Sequence, residues 1–343
     1  AAASGTADVG WVFLHRMTGR RLARYALRRA GQAALIVIGI LLCNFVLLNL
    51  APGDAAEVLA GESGTADAGY VEALRRQFGL DVPVQQRLLN YLLRLLHLDL
   101  GWSFRHGTSI ASLILDRLPA TLLLMGAALS IAVALGIVLG VAAARGVNRW
   151  PDELISFASL LLYATPLFWV GLMMILLFSV QLGWLPTGGM RDVVAMHTGL
   201  DAVIDRARHL VLPATTLALF FVAIYARLVR ASVLQVYGMD YVRLARAKGI
   251  SERRVAFRHV LRNALLPLVT MVGLQAGAVM GGSVLVETVF AWPGLGRLAF
   301  EAVFQRDQNL LLSILLVSSL FVVVVNFLVD LLYVRLDPTI ELR

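Results

Sequence analysis

Six stretches of this chain contain no acidic or basic residue: 30–53, 118–144, 154–190, 210–226, 263–286 and 308–329. A helix needs about 20 apolar residues to cross a bilayer, and stretches of this kind have few other fates. The shortest, 210–226, is followed by Arg227 and Arg230, whose long side chains can reach back to the interface, so its helix is expected to continue to 233. The longest is expected to hold one helix, 154–182, before Gly183, Pro186, Gly188 and Gly189 interrupt it. The prediction is an all-α, polytopic membrane protein with spans at 30–53, 118–144, 154–182, 210–233, 263–286 and 308–329. With 59% hydrophobic and 15% charged residues, the chain has too little polar surface to cover a soluble globule.

Basic residues orient the spans. Segments 1–29, 145–153, 227–262 and 330–343 carry 19 of them, whereas 54–117, 183–209 and 287–307 carry 11. The first set is therefore expected on the cytoplasmic side, with both termini, and 54–117 outside. This bias accounts for the net charge of +8 without nucleic acid, for which no binding motif is present. Cys43 is the only cysteine and falls within the first span, so no intrachain disulfide can form. The opening AAASGTADVG has no apolar run and carries no fold expectation. The first apolar segment is full length and follows RRLARYALRR, unlike a cleaved signal peptide.

Enzyme chemistry finds little support. The one lysine, Lys248, is followed by Gly249, so no phosphate loop ending in Lys-Ser/Thr exists and the chain is not expected to hydrolyse ATP. Six scattered histidines form no hydrolytic grouping, and the outer four, His97, His106, His197 and His209, have no metal-ligand spacing. No catalytic or metal-binding residue is assigned. Ion-driven carriers usually keep an ionisable group at mid-membrane, but Glu287 and Asp330 stand only at span ends. Asp330, with Asn326 and Arg335, reads as a polar cluster at the cytoplasmic edge. Energy for transport would have to come from another protein.

Residues 240–262 form a basic interruption between two apolar runs. Asp240 suits an N-cap, Tyr241 to Lys248 make two turns, Gly249 suits a left-handed closing position, and Ser251 with Glu252 opens a second helix. In that helix Phe257, Val260, Leu261 and Ala264 share one face at helical spacing. The first helix is too short to stand alone in water. Anionic lipid would receive its arginines, and a groove in a cytoplasmic protein would suit its small residues Ala245, Ala247 and Gly249.

In the fifth span, Gly273, Gly277 and Gly281 recur every four residues and permit close helix approach. Gln275, Gly282 and Ser283 are candidates to face a pathway, with packing as the plainer role, and Pro166 is expected to kink the third span for packing. Outside, 70–78 and 84–96 read as amphipathic helices, the second with Val84, Leu88, Leu92 and Leu95 on one face. They suit a cap over the outer mouth, a dock for another protein, or the lipid interface. FAWPGLGRLAF, 290–300, reads as a bent outer element.

The blocks LLNLAPGD (47–54), RRQFGLDVPVQQRLLNYL (75–92), LDLGWSF (98–104), RLPATLLL (117–124), ATPLFWVGL (164–172), QLGWLPTGG (181–189), ARLVRASVLQV (226–236), YVRLARAKGISERRVAFRHVLRNALLP (241–267), VETVFAWPGLGR (286–297) and NFLVDLLYVRLDPTI (326–340) follow one another along the chain. In this order they resemble ABC-importer permeases of the dipeptide/oligopeptide/nickel class, the B-type permeases. Residues 241–267 resemble the cytoplasmic coupling motif of that family. Aligned on Gly249, Arg243 replaces the general motif's Glu, and Arg262 stands where its Pro would be.

The resemblance implies the type I ABC importer permease fold in a bacterial inner membrane. It also implies a homologous second permease subunit, two cytoplasmic ATPase subunits using ATP and Mg, an extracytoplasmic substrate-binding protein, and surrounding membrane lipids. No cofactor is expected in this chain itself. Tyr241, Ala245, Arg246, Lys248, Gly249, Ser251 and Glu252 are the residues it implies for the ATPase seat. Dipeptides or oligopeptides are the expected cargo, with nickel, glutathione or another small solute as alternatives. An autonomous channel or ion-driven carrier would work without ATPase subunits, and a scaffold would transport nothing.

Overall fold

The computed structural model describes residues 31–32, 34–43, 45–46, 68–77, 81–97, 99–103 and 105–336. Segment 1–29, the LLNLAPGD block, the tail 337–343 and the side chains of the cluster expected around Asp330 and Arg335 lie outside the described residues.

The chain divides into two compact units. Residues 1–97 and 312–343 form one, containing the apolar helix α1 (Ala34–Cys43), α2 (Ala68–Gln77), α3 (Val84–Leu96) and most of the last helix. Leu41, Phe45, Tyr91 and Leu312 are its buried cluster, flanked by Val37, Leu88, Leu95 and Leu316. The apolar stripe of α3 thus turns inward at Leu88, Tyr91 and Leu95, while Val84, expected on the same face, is exposed.

Residues 98–311 form the other unit. A two-residue ladder, β1 (Trp102–Ser103) antiparallel to β2 (Thr108–Ser109), leads into α4 (Ile110–Arg145), then α5 (Trp150–Ala164) and α6 (Leu167–Met174). A π-helical stretch, Ile175–Gln181, continues α6. Helix α7 (Gly199–Tyr237) is followed by the short α8 (Asp240–Ala247), α9 (Glu252–Arg254), a π-helical stretch Val255–Leu261, and α10 (Arg262–Ala264). Then come α11 (Leu266–Val289), α12 (Leu295–Phe304) and α13 (Gln308–Leu336), which runs on into the first unit.

Among the described residues four helical segments are long and apolar enough to cross a membrane, Ile110–Arg145, Gly199–Tyr237, Glu252–Gln275 and Gln308–Val329, and a bent pair makes a fifth if taken as one span. That pair corrects the sequence expectation of one kinked helix over 154–182. Helices α5 and α6 meet at 107°. Pro166 has no amide hydrogen and disfavours helical backbone in the residue before it, so Thr165 is extended (φ −85°, ψ 132°) and α6 starts afresh after Pro166. The Thr165 hydroxyl closes α5 by donating to the Leu161 carbonyl at 2.7 Å. The span expected at 210–233 is longer at both ends: α7, at 39 residues, is about 58 Å long against about 30 Å of hydrocarbon.

Helices α4 and α7 form the core. On α4 the buried residues Ala128, Ala132, Gly136, Gly140 and Ala144 recur every four positions. A Cβ on Gly136 would lie 2.6 Å from that of Tyr225, and one on Gly140 would lie 2.6 Å from Val229 Cβ and 2.7 Å from the Ala226 carbonyl oxygen. The backbones touch because this stripe has no side chains to hold them apart. Near the C-terminal end of α7 the Arg230 guanidinium grips the Asp152 carboxylate through two hydrogen bonds of 2.5 and 2.7 Å, which ties α5 to α7. The Asn148 amide adds a third bond to Asp152 at 3.1 Å.

Candidate functional site

The basic interruption between the two apolar runs folds as a hairpin. Helix α8 ends in a Schellman arrangement: Gly249 is left-handed (φ +74°), its amide donates to the Arg246 carbonyl at 2.9 Å, and the Ile250 amide reaches the Ala245 carbonyl at 3.3 Å. The sequence marks this end correctly at Gly249. At the other end, Met239 and not Asp240 occupies the cap position. Asp240 lies in the first turn, where its charge still favours the helix dipole, 3.6 Å from Arg243. Ser251 is the extended residue before α9, without a side-chain cap bond.

The two arms are pinned together. Arg246 donates to both carboxylate oxygens of Glu252, at 2.8 and 3.1 Å, and its guanidinium lies 5.2 Å from the centre of the Tyr237 ring at the end of α7. Those bonds to Glu252 hold the Arg246 guanidinium above its ordinary pKa. The Tyr241 hydroxyl accepts from the Asn263 amide nitrogen at 2.8 Å, and Asn263 also donates to the His259 carbonyl at 3.1 Å. Val242 and Ala245 face into the chain, 0% and 6% exposed, whereas Leu244 is 56% exposed and Lys248 and Gly249 face out. Ala245 therefore serves the hairpin's own packing.

The second arm departs from helical spacing. Over Val255–Leu261 it is a π-helix, which turns through more residues per revolution than an α-helix. Val255, Val260 and Ala264 form its buried line, and Phe257, expected among them, is rotated out to 57% exposure.

At the opposite end of α11 the start of α12 and the distant Thr121 of α4 converge on Glu287, a fully buried carboxyl. Thr121 of α4 donates its hydroxyl to Glu287 Oε1 at 2.7 Å and accepts the Leu295 amide at 2.8 Å. The Arg297 amide donates to Glu287 Oε2 at 3.0 Å, and the Gly296 amide also faces the carboxyl. These are the first three amides of α12, which have no partners within their own helix. A carboxyl from another helix caps two of them directly and the third through Thr121. Gly294 and Gly296 make room: a Cβ on Gly294 would collide with the Glu287 carboxyl, and one on Gly296 would lie 2.6 Å from the Val284 backbone.

Trp292 adds an indole donation to the Ala120 carbonyl at 2.9 Å. The Gly189 amide donates to the Phe290 carbonyl at 2.8 Å, and that oxygen would lie 2.5 Å from a Cβ on Gly188. RLPAT, PTGG and VETVFAWPGLGR thus build one latch.

Residues 136–342 match the family described as Binding-protein-dependent transport system inner membrane component, and 22–125 match its N-terminal family. The oligopeptide transport system permease protein AppB of Bacillus subtilis (strain 168) is 41% identical over 325 residues, 93% of this chain and 100% of that protein. The chain belongs to this permease family. The di/tripeptide transport system permease protein DppB of Pseudomonas aeruginosa is 39% identical, over 92% of this chain and 97% of its own. The glutathione transport system permease protein GsiC of Escherichia coli is also 39% identical, over 90% and 95%. A chain of the MetNI methionine ABC transporter, in inward-facing conformations, shares the fold with a TM-score of 0.53 at 16% identity, covering 66% of this chain and 97% of that one. The protein is a multi-pass inner-membrane permease with the type I ABC importer fold, and its family is that of permease subunits, not ATPases.

In this permease the expected glycine row is not uniform. Gly273 is buried, Gly277 is half-buried, and Gly281 is exposed, with open space for 4 Å around the point where a Cβ would stand. Gly282 faces Leu217 of α7, where a Cβ would lie 3.2 Å from Cδ1, and Ser283 is buried, donating to the Met280 carbonyl at 2.7 Å. Gln275 has a buried Oε1 without a hydrogen-bond partner among the described residues. Pro166 forms the α5–α6 corner. Sequence reasoning misses both the latch and the small-residue stripe of α4, although the stripe's four-residue spacing is a usable signal.

Proposed function

We propose that this chain is the permease subunit of an ATP-driven importer for dipeptides or oligopeptides. It would form half of the translocation pathway beside a homologous second permease, with two cytoplasmic ATPase subunits and an extracytoplasmic binding protein. The observation that carries the reading is the likeness to an oligopeptide permease across that protein's whole length, and a hairpin pinned by the Arg246–Glu252 pair supports it. Glutathione is the second reading, supported by the likeness to a glutathione permease.

The hairpin is suited to act as a lever. Its Schellman turn, the Arg246–Glu252 pair and the Tyr241–Asn263 bond fix it to the entrance of α11. The outward Leu244, Lys248 and Gly249 are the surface offered to an ATPase subunit. An ATP-driven closure of the ATPase pair, whose Mg and ATP stay in those subunits, would move the hairpin as a body and α11 with it. Reconstituting the co-purified complex tests this. Uptake of labelled dipeptide should require ATP and the ATPase subunits; uptake by the permease alone would overturn the reading.

A further inference from the structure

A shallow, open hollow lies between the Arg145 end of α4, the Tyr237 end of α7 and the π-helical arm of the hairpin. Val141, Val233, Phe257, Val260 and Leu261 line it, with Arg145 among them. Arg145 is the first charged residue after the uncharged stretch 118–144, so the hollow lies where hydrocarbon gives way to the cytoplasmic headgroup layer. Its walls are aliphatic and aromatic, and its charged lining group is an exposed cation. Arg145 makes no ion pair among the described residues. Arg254, Arg258 and Arg262, spaced four apart on the same arm as Phe257, are also exposed and without an ion pair there.

We propose that this hollow binds an anionic phospholipid of the cytoplasmic leaflet, its acyl chain against Phe257 and the aliphatic wall and its phosphate on Arg145. Depth, charge and wall chemistry select this occupant. A phosphate matches a lone guanidinium at the interface, and an acyl chain covers apolar side chains without bringing backbone amides that would need partners. The surface offered to the ATPase lies elsewhere, on the outward side of α8 around Leu244. Lipid at this seat would brace the second arm against α4 and α7, so the lipid would tune how firmly the hairpin is held. This inference does not depend on the cargo.

The test uses the whole importer in vesicles of phosphatidylcholine with phosphatidylglycerol, carrying a photoactivatable acyl probe on one lipid or the other. The phosphatidylglycerol probe should label segments 141–145 and 255–261 in preference to the phosphatidylcholine probe. Arg145→Gln should reduce that labelling by about fivefold, and Arg145→Lys should restore most of it. Phe257→Ser probes the apolar half independently and should lower labelling by both probes at 255–261. Equal labelling by the two probes, no response to Arg145→Gln, or crosslinks from a photoreactive residue at 257 that reach only a protein subunit would overturn the proposal.

Discussion

Glu287→Gln is the sharpest perturbation of the latch between α4, α11 and α12. The carboxyl accepts the Thr121 hydroxyl at one oxygen and the Arg297 amide at the other, with the Gly296 amide beside it. A carboxamide keeps one acceptor and turns the other into a donor. If its oxygen faces Thr121, its NH2 opposes two buried amides. If it flips, its NH2 opposes the Thr121 hydroxyl, whose oxygen already accepts from Leu295. Either way at least one buried donor loses its partner, at about 1–3 kcal/mol. For a unit of about 200 residues this corresponds to a fall in melting temperature of about 2–12 °C. Melting of the purified complex followed by size-exclusion chromatography measures it, with Thr121→Val and the double variant completing a mutant cycle. The two single losses should add to more than the double loss. A Glu287→Gln protein that melts within a degree of the wild type and transports normally would refute the capping argument.

Gly140→Ala should destabilise by about 1–3 kcal/mol, because its methyl meets the Ala226 carbonyl and Val229, whereas Gly281→Ala should leave melting unchanged in the same assay. Leu244→Asp should leave the protein inserted and folded while abolishing substrate-stimulated ATPase activity in the reconstituted complex. Gly249→Ala, forced to keep a positive φ, should cost about 1–2 kcal/mol and weaken coupling without any steric clash. Asp152→Asn should lower the melting temperature by loosening the twofold grip of Arg230, at about 2 kcal/mol, below the range for fully buried pairs because Arg230 is partly exposed.

The parts of this molecule governed by local chemistry are readable in its sequence. Gly249 announces the hairpin turn because left-handed backbone has few other occupants, and uncharged length announces the long helices. An α-helical period applied to a π-helical stretch puts Phe257 on the wrong side, and nothing in VAFRHVL advertises the change. Pro166 reads as a kink because a proline within an apolar run fits either a bent helix or a corner, and tertiary packing chooses. The latch is invisible for a different reason: Thr121 and Glu287 are 166 residues apart, and a pairing at that distance leaves no periodic trace. Gly294 and Gly296 look like bend formers, whereas their role is to admit the Glu287 carboxyl and the Val284 backbone.

The corner at Thr165–Pro166 divides what would otherwise be a single strut into two pieces with different attachments. Helix α5 is moored through Asp152 to Arg230, while α6 is seated through Gly171 against Phe290, Val289 and Thr216. Thrust delivered along α5 therefore arrives at the elbow nearly at right angles to α6 and cannot be relayed as a push along its axis. Whatever travels between the two faces of the membrane through this unit must pass along the unbroken helices α4, α7 or α11.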